Sequence, residues 1–186
     1  MSATVIALTA VHAREIQALA DRFYPTSFRM TAEDIAENLE GLQEEDCNFC
    51  FGVEEDGRLV GYLMAWLDNS LVEGRAEDVV LVDDICLERG HRSYLYPLLK
   101  AMARALDEAG YRGIPIEGTA RKQAEQTFIS HPEVIESLGY RMAANHEYTD
   151  ESLRETLVWV RFESVAEPDY LAPEDRYEVE LPEVGA

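Results

Sequence analysis

Apolar positions in the first part of the chain predict a short strand followed by two helices. The run from Thr4 to Leu8 is apolar and leads into a segment in which apolar residues recur every three or four positions, as on one face of a helix. Pro25 ends that helix, because proline cannot continue one. The next helix is predicted to begin at Thr31, where Asp34 three residues on forms a variant of the capping box. The apolar positions are Ile16, Leu19, Ala20 and Phe23 in the first helix, and Ile35, Leu39 and Leu42 in the second.

Three apolar segments that come next predict strands. Asn48 to Glu54 and Leu59 to Leu67 flank the dipeptide Asp56-Gly57, which is typical of the tight turn in a hairpin. A third strand, Val79 to Leu87, follows a polar segment that we interpret as a loop. The order is therefore strand, two helices and three strands.

The second half of the chain alternates helices and strands. Apolar positions from Tyr94 to Ala109 predict a helix with Gly110 just beyond its C-terminus, and Gly113 to Gly118 predicts a short strand. Pro115 within that strand indicates irregular pairing, which would leave a slot beside the preceding strand. The remaining elements are a helix from Pro132 to Leu138, capped by Gly139, and two strands, Tyr140 to Tyr148 and Leu157 to Phe162.

The strand that ends at Leu87 and the helix that begins at Tyr94 form a strand, tight loop and helix in succession. A helix N-terminus offers unpaired N–H groups and the positive end of the helix dipole, and both attract phosphate. His91, Arg92 and Ser93 are suitable neighbours for such an anion. The alternative is an ordinary connection with a solvated arginine, and the junction alone does not separate the two.

Two segments within this order of elements resemble a known family. Residues Asp84 to Arg92 resemble the fourth strand and the following turn of the GNAT-type N-acetyltransferases, and Val134 to Tyr140 is similar to the end of a helix in that family. The resemblance covers residues 4 to 164. It implies an α/β (α+β) fold of a single domain, with a mixed central sheet of about seven strands, helices on both faces and a splay between strands four and five.

The same resemblance implies an acetyl-CoA site in the splay. In the family, the pantetheine arm pairs with strand four and the pyrophosphate lies on the amides of the loop that follows. An enzyme of this kind transfers an acetyl group from acetyl-CoA, its cosubstrate, directly to a primary amine of a small molecule or a protein. The residues at the corresponding positions here are Ile85, Cys86, Leu87, His91, Arg92, Ser93, Tyr94, Leu95 and Tyr96.

The sequence departs from the family pattern at two places. The loop from Arg92 to Pro97 contains no glycine, whereas the glycines of the family let the backbone approach the phosphates. Ile135 stands where the family frequently has a tyrosine that protonates the leaving thiolate. These departures favour an alternative function, that of a catalytically inactive GNAT-fold protein acting as an acidic binding or inhibitory module.

Three residues are candidates for acid–base chemistry, because acetylation of an amine needs a base that accepts its proton. Asp83 and Asp84 end an apolar strand, and strict alternation places them on opposite faces. The resemblance favours Asp84, while the alternative is that both carboxylates bind solvent or an arginine at the sheet edge. Glu117 on the neighbouring strand is the second candidate. His131, just before a helix, is the third, with a capping or surface role as its alternative.

The chain is strongly acidic, with 37 Asp and Glu against 16 Lys and Arg and a formal net charge of -21. Such a surface repels nucleic acid and anionic membranes, so we expect an amine-bearing, cationic substrate and neither nucleic acid nor membrane as a partner. A need for solubility, a high-salt habitat or mimicry of nucleic acid charge would give the same composition. No apolar run approaches the ~18 residues of a membrane span, which indicates a cytoplasmic protein, and a homodimer is possible.

The cysteines and the C-terminal segment complete the sequence-based picture. Cys47 and Cys50 have CxxC spacing, but odd spacing on a strand puts them on opposite faces and a second ligand pair is absent, so no metal site is expected. Residues 166 to 186 are acidic and contain prolines. We interpret them as an extended tail that follows a domain of residues 1 to 165.

Overall fold

A seven-stranded mixed sheet with the strand order β1-β2-β3-β4-β5-β7-β6 forms the centre of the computed structural model, which describes residues 3–25, 29–72, 75–122 and 128–165. Neighbouring strands are antiparallel, except that β4 and β5 are parallel. The predicted mixed sheet is therefore confirmed. Its strands are β1 (Ala3–Ala7), β2 (Phe51–Glu55), β3 (Arg58–Val72), β4 (Arg75–Leu87), β5 (Ile116–Arg121), β6 (Tyr140–Asp150) and β7 (Glu155–Ser164).

Helices of the described residues cover the sheet from both sides, as predicted. On one side the apolar faces of α1 and α2 form a core with β1 to β4 that includes Leu19 and Leu39. On the other side α3 and α4 form a second core that includes Leu98 and Phe162. Burial of each such side chain contributes roughly 1.5–3 kcal/mol. The helices are α1 (Ala13–Phe23), α2 (Ala32–Glu44), α3 (Leu95–Glu108) and α4 (Pro132–Glu136).

The predicted boundaries of the N-terminal helices and of the first hairpin are confirmed. α1 ends at Phe23, two residues before Pro25. Thr31 is the N-cap of α2: its hydroxyl accepts the Asp34 N–H at 3.1 Å, and the Asp34 carboxylate accepts the Thr31 N–H at 3.1 Å. Asp56-Gly57 joins β2 to β3 with φ angles of 50° and 75°, and such a turn matches the twist of antiparallel strands.

The prediction of a loop before Val79 is wrong in part, because most of the polar residues between Leu67 and Val79 belong to strands. β3 continues to Val72 and β4 begins at Arg75, with Asp68 paired to Val79. This end of the hairpin carries exposed polar side chains, so it lacks the apolar alternation that marks a half-buried strand. Its backbone ladder does not depend on that pattern.

A bulge at Asp83 interrupts the regular pairing of β4 with β3. Asp84 pairs with Met64 and Val82 pairs with Ala65, so Asp83 is an extra residue without a partner across the ladder. One extra residue shifts the alternation of every side chain that follows it.

The shifted alternation corrects the predicted directions of the two aspartates. Val82 and Ile85 lie in the same core, under α3, whereas Cys86 lies in the core under α1 and α2. Because side chains alternate along a strand, Asp84 points to the side opposite Ile85, which is the side of α1. Asp83 points to the side opposite Val82, which is again the side of α1. The prediction that Asp83 and Asp84 point to opposite faces is wrong, because strict alternation does not include a bulge.

The parallel pairing of β4 with β5 is short. Residues Val80 to Val82 of β4 pair with residues Ile116 to Gly118 of β5. After Val82 the remaining residues of β4 pair with β3 alone. The predicted slot beside the strand that contains Pro115 is confirmed as this splay.

Two predictions concern the extremes of the chain and its relation to membranes. The tail of residues 166 to 186 lies outside the described residues, so it stays a prediction.

Within the part of the chain that the structure describes, no helix has the length and apolar character needed to cross a membrane.

Candidate active site

The bulge directs Asp84 between two tyrosine hydroxyls. Tyr24, the residue after α1, donates to Oδ1 of Asp84 at 2.5 Å, and Tyr62 on β3 donates to Oδ2 at 2.6 Å. Each carboxylate oxygen therefore accepts a hydrogen bond from one tyrosine hydroxyl. The two donors differ in accessibility, because Tyr62 is fully buried and Tyr24 is half-buried.

The surroundings of Asp84 raise its pKa from 3.8 to about 6. Burial is the largest cause, and the hydrogen bonds from Tyr24 and Tyr62 oppose it. Burial also raises the pKa of both tyrosine hydroxyls, so both remain protonated donors at neutral pH. A carboxylate with a pKa near 6 is ionised at pH 7 and still binds a proton more readily than an ordinary aspartate, which suits a general base.

Tyr24 also reaches the open edge of β4, where its hydroxyl lies 2.8 Å from the carbonyl oxygen of Ile85. In the β3–β4 pair the Glu88 N–H donates to the Val60 carbonyl at 2.8 Å. By the alternation of an antiparallel ladder, Ile85 and Leu87 then direct their N–H and C=O groups away from β3. Those groups face the splay, and Tyr24 lies at its edge.

Asp83 lies beside this group on the same face of the sheet. The residue is accessible to solvent, and the protein around it nevertheless raises its carboxyl pKa by desolvation. The charge of Asp83 is close enough to raise the pKa of Asp84 as well, after burial, which is the larger cause.

Two glutamates tie the loop after β4 to the hairpin of β2 and β3. Glu88 accepts from Arg58 at 2.6 Å. Glu55, at the end of β2, accepts the hydroxyl of Tyr94 and lies 3.0 Å from Nε2 of His91. His91 and Tyr94, both predicted to bind the cofactor, thus anchor the loop through their side chains.

The bulky side chains of this loop leave the start of α3 accessible. Leu95 is buried in the core and Tyr94 is turned onto Glu55, whereas Arg92 and Ser93 are exposed. A short 3₁₀ turn, Arg92–Tyr94, precedes α3. The N–H groups of Tyr94 and Leu95 donate to the carbonyls of His91 and Arg92, so the amides of this turn that could receive a diphosphate are those of Arg92 and Ser93 at its start.

Cationic side chains lie on the same end of α3. The Lys100 ammonium is 6.0 Å from the centre of the Tyr96 ring, one helical turn earlier. Arg92 donates to Nδ1 of His131 at 2.5 Å, and its guanidinium is 4.0 Å from the Glu133 carboxylate. The charges suit a phosphate group, although Arg92 already has partners.

The three predicted catalytic residues belong to separate networks. Asp84 is bound by the tyrosines, and His131 accepts from Arg92 at the start of α4. Glu117 is buried on β5, where Arg161 of β7 donates to it at 2.7 Å; the same guanidinium donates to Glu77 of β4 at 2.6 Å. Glu117 thus belongs to a cluster of ion pairs around the buried Arg161 that joins β4, β5 and β7.

Sequence analysis missed the two tyrosines that hold Asp84. Tyr24 directly precedes the helix-ending Pro25, and Tyr62 lies within the apolar strand Leu59 to Leu67. The one available signal is that a buried tyrosine hydroxyl needs a partner. That signal does not name the partner, which lies 60 residues from Tyr24 and 22 from Tyr62 along the chain.

The cysteines take no part in the site as ligands or disulfides. Cys47, Cys50 and Cys86 are free and buried, and the described residues contain no group of three or more His, Cys, Asp or Glu side chains that could hold a metal ion. Cys86, predicted at the cofactor site, lies in the core under α1 and α2, and the ladder alternation turns its backbone groups to β3.

Comparison with solved structures identifies the architecture. A GNAT-family acetyltransferase from Streptococcus pneumoniae superposes with a TM-score of 0.63 at 11% identity, over 89% of this chain and 100% of that one. A putative acetyltransferase from Salmonella typhimurium, solved with its cofactor acetyl-CoA, gives 0.63 at 14% identity, over 91% and 99%. A polyamine N-acetyltransferase from Drosophila melanogaster gives 0.58 at 11% identity, over 87% and 100%.

The likeness lies in structure and not in sequence. No family model matches the chain, and no curated protein matches it by sequence. The strand order, the single parallel pairing of β4 with β5 and the splay after Val82 are nevertheless present. The chain therefore has the GNAT acyl-CoA N-acyltransferase fold.

Proposed function

We propose that the protein transfers an acetyl group from acetyl-CoA directly to a primary amine of a small molecule or a protein. The observation that carries this proposal is the position of Asp84. A bulge places its enclosed carboxylate, with a pKa of about 6, beside the open edge of β4 in a GNAT fold. Solved neighbours of this fold are acetyltransferases, and one of them was solved with acetyl-CoA.

The chemistry requires a base at this position. A primary amine is protonated at neutral pH, and its nitrogen attacks the thioester carbonyl only after losing a proton. The ammonium form first releases one proton to solvent. As the neutral amine attacks, the C–N bond of the amide forms and a second N–H proton passes to the base, and as the C–S bond breaks that proton is given to the leaving sulfur. Asp84 is ionised at pH 7 and able to hold that proton between the two steps.

Residues of β4 and α3 would hold the cosubstrate. Ile85 and Leu87 would pair with the pantetheine amides through the backbone groups that face away from β3, and Arg92 and Ser93 would hold the diphosphate. Bound acetyl-CoA supplies the activated acetyl carbon. Lys100 on the next turn of α3 adds a positive charge to this end of the site.

The acceptor amine is proposed to be cationic. The chain carries a net charge of -21, which raises the local concentration of cations by steering them to the surface. Asp83 lies next to Asp84 on the same face of the sheet, and desolvation raises the pKa of its carboxyl. The Drosophila neighbour is a polyamine N-acetyltransferase that forms N-acetylagmatine, which is consistent with an acceptor of this class.

A second candidate function is that of an acidic binding or inhibitory module without transferase activity. The observation that favours it is the state of the phosphate end: Arg92 is engaged with His131, and Pro97 in the first turn of α3 lacks an N–H group. Ile135, where a proton-donating tyrosine is frequent in the family, is buried in the core.

Calorimetry with acetyl-CoA and an assay of thiol release with a panel of polyamines and basic peptides test the proposal together. Asp84→Asn keeps the shape and removes the proton acceptor, so we expect turnover to fall by about 10²–10⁴ while acetyl-CoA affinity stays similar. The matched control is Asp78→Asn, an exposed aspartate on the same strand, which should leave turnover unchanged.

Three outcomes separate the two functions. Turnover that is lost in Asp84→Asn and retained in Asp78→Asn supports the transferase. Binding of acetyl-CoA without turnover on any amine supports the binding module. Absence of binding at millimolar acetyl-CoA would remove the cosubstrate from both.

A further inference from the structure

The Asp84 network contains two hydroxyls with nearly the same geometry and different surroundings. Tyr24 and Tyr62 donate to opposite oxygens of one carboxylate at 2.5 and 2.6 Å. Tyr62 is fully buried on β3 beneath α1 and α2, so no ligand can touch its hydroxyl. Tyr24 is half-buried, and its hydroxyl also lies at the Ile85 carbonyl on the edge of the splay. Only one of the two therefore connects Asp84 with the cleft.

We propose that Tyr24 is the residue that exchanges protons with the reacting amine, and that Asp84 acts behind it as the final acceptor. This inference rests on the proposed transferase function and deepens it. In this arrangement Tyr24 touches the reacting nitrogen and is the catalytic residue, whereas Asp84 determines in which direction the proton moves.

The transfer balances without a charged tyrosine. The amine nitrogen gives its proton to a lone pair of the Tyr24 oxygen as the Tyr24 O–H gives its own proton to Oδ1 of Asp84. One N–H and one O–H bond break, and two O–H bonds form. Tyr24 is neutral before and after, and Asp84 becomes a neutral carboxylic acid. The reverse movement returns a proton to the leaving sulfur and restores the Asp84 carboxylate.

The position of Tyr24 explains how the fold can work with an isoleucine at residue 135. That side chain is buried in the core under α3 and has no proton to give. Tyr24 brings a hydroxyl to the splay from the opposite side of the sheet, at the C-terminus of α1. The same group can then take the proton from the amine and return it to the sulfur.

Phenylalanine substitutions of the two tyrosines form a matched pair. Both remove a hydrogen bond that favours the ionised form of Asp84, so both raise its pKa and move the acid limb of the pH–rate profile to higher pH. Carbon-13 NMR of the labelled aspartate carboxyl, in protein without ligands, measures that change independently of activity. Only Tyr24→Phe also breaks the proton path.

The deciding measurement is the single-turnover rate at a pH above both shifted values, where Asp84 is ionised in every variant. We expect Tyr24→Phe to lower this rate by about 10² or more and Tyr62→Phe to lower it by less than about tenfold. Equal plateau rates in the two variants would overturn the relay and make Asp84 the group that contacts the amine.

A measurement on the unmodified protein covers the case in which Tyr24→Phe does not fold. Two protons move together in the relay, so the single-turnover rate should depend on the deuterium fraction of the solvent along a curve. A straight line indicates one moving proton and overturns the relay. If the unmodified protein binds acetyl-CoA and acetylates no amine, the transferase proposal itself fails, and the relay fails with it.

Discussion

At the scale of single residues, Asp84 gives the fold a pH dependence that needs no ligand to measure. Its pKa is raised from 3.8 to about 6, so between these values the folded protein binds the proton more tightly than the unfolded chain. The stability from this group is fully present below about pH 4 and is lost as the pH rises through about 6, by at most about 3 kcal/mol. Asp84→Asn removes this loss. Urea unfolding at several pH values should show the variant gaining stability relative to wild type from pH 4 to pH 7.

A second substitution provides a control of opposite sign. Hydrogen bonds from Thr31 hold the pKa of Asp34 below its usual value. Stability from Asp34 is therefore present above its unfolded pKa and lost as the pH falls through the folded one. Asp34→Asn should lose stability relative to wild type as the pH rises. If the Asp84→Asn difference is flat from pH 4 to 7, burial does not perturb that carboxyl.

Residues of the site were predictable from the sequence to different degrees. The choice of Asp84 as a candidate base was predictable, because it is an acidic residue at the end of an apolar strand and matches a family pattern. The face of the sheet to which its side chain points was not predictable, because no local sequence pattern indicates the bulge at Asp83. The tyrosine contacts were not predictable either, since they depend on how α1 and β3 pack against β4 and not on any spacing along the chain.

At the scale of elements, Arg161 joins three strands through one buried guanidinium. It is 5% exposed and contacts Glu77 of β4, Glu117 of β5 and, at 3.3 Å, Glu163 of its own strand. Arg161→Met leaves Glu117 buried without its cation. We expect the free energy of unfolding, measured by urea denaturation, to fall by about 3–5 kcal/mol.

Two further variants distinguish the lost charge pair from a general effect of removing arginine. The double variant Glu117→Gln/Arg161→Met has no unpaired buried charge at this position and should recover a large part of the loss. Arg104→Met removes an exposed pair with Glu108 in α3 and should change the stability by less than about 0.5 kcal/mol. Equal losses in the single and double variants would show that the buried carboxylate needs no cation.

Elements with a buried face were the predictable ones. α1, α2 and α3 each present a regular apolar face, and their predicted extents differ from the observed ones by a few residues at most. The distal ends of β3 and β4 and most of β6 are polar and exposed, so their sequences resemble loops. Backbone ladders extend beyond the core, whereas apolar alternation marks only the part of a strand that the core covers.

At the scale of the whole molecule, the order of elements together with the resemblance of two segments to a known family predicted the mixed sheet. One slot between adjacent parallel strands followed from Pro115, and the two motifs placed that slot at the fourth and fifth strands. The acceptor could not be predicted, because net charge describes the average field of the surface and not the shape of a pocket.

The short contact between β4 and β5 also has a consequence for the order of events in time as the chain folds. β2 to β4 pair with strands next to them in sequence, but β5 reaches β4 only after α3 has been placed between them, and closing that longer loop costs more entropy. We expect the Val80 N–H, bonded to the Pro115 carbonyl, to gain protection after the Phe49 N–H, bonded to the Ala65 carbonyl. Pulsed hydrogen exchange during refolding measures both amides, and earlier protection of Val80 would contradict this order. The cleft would then acquire its final form later than the hairpin of β2 and β3 in each new molecule.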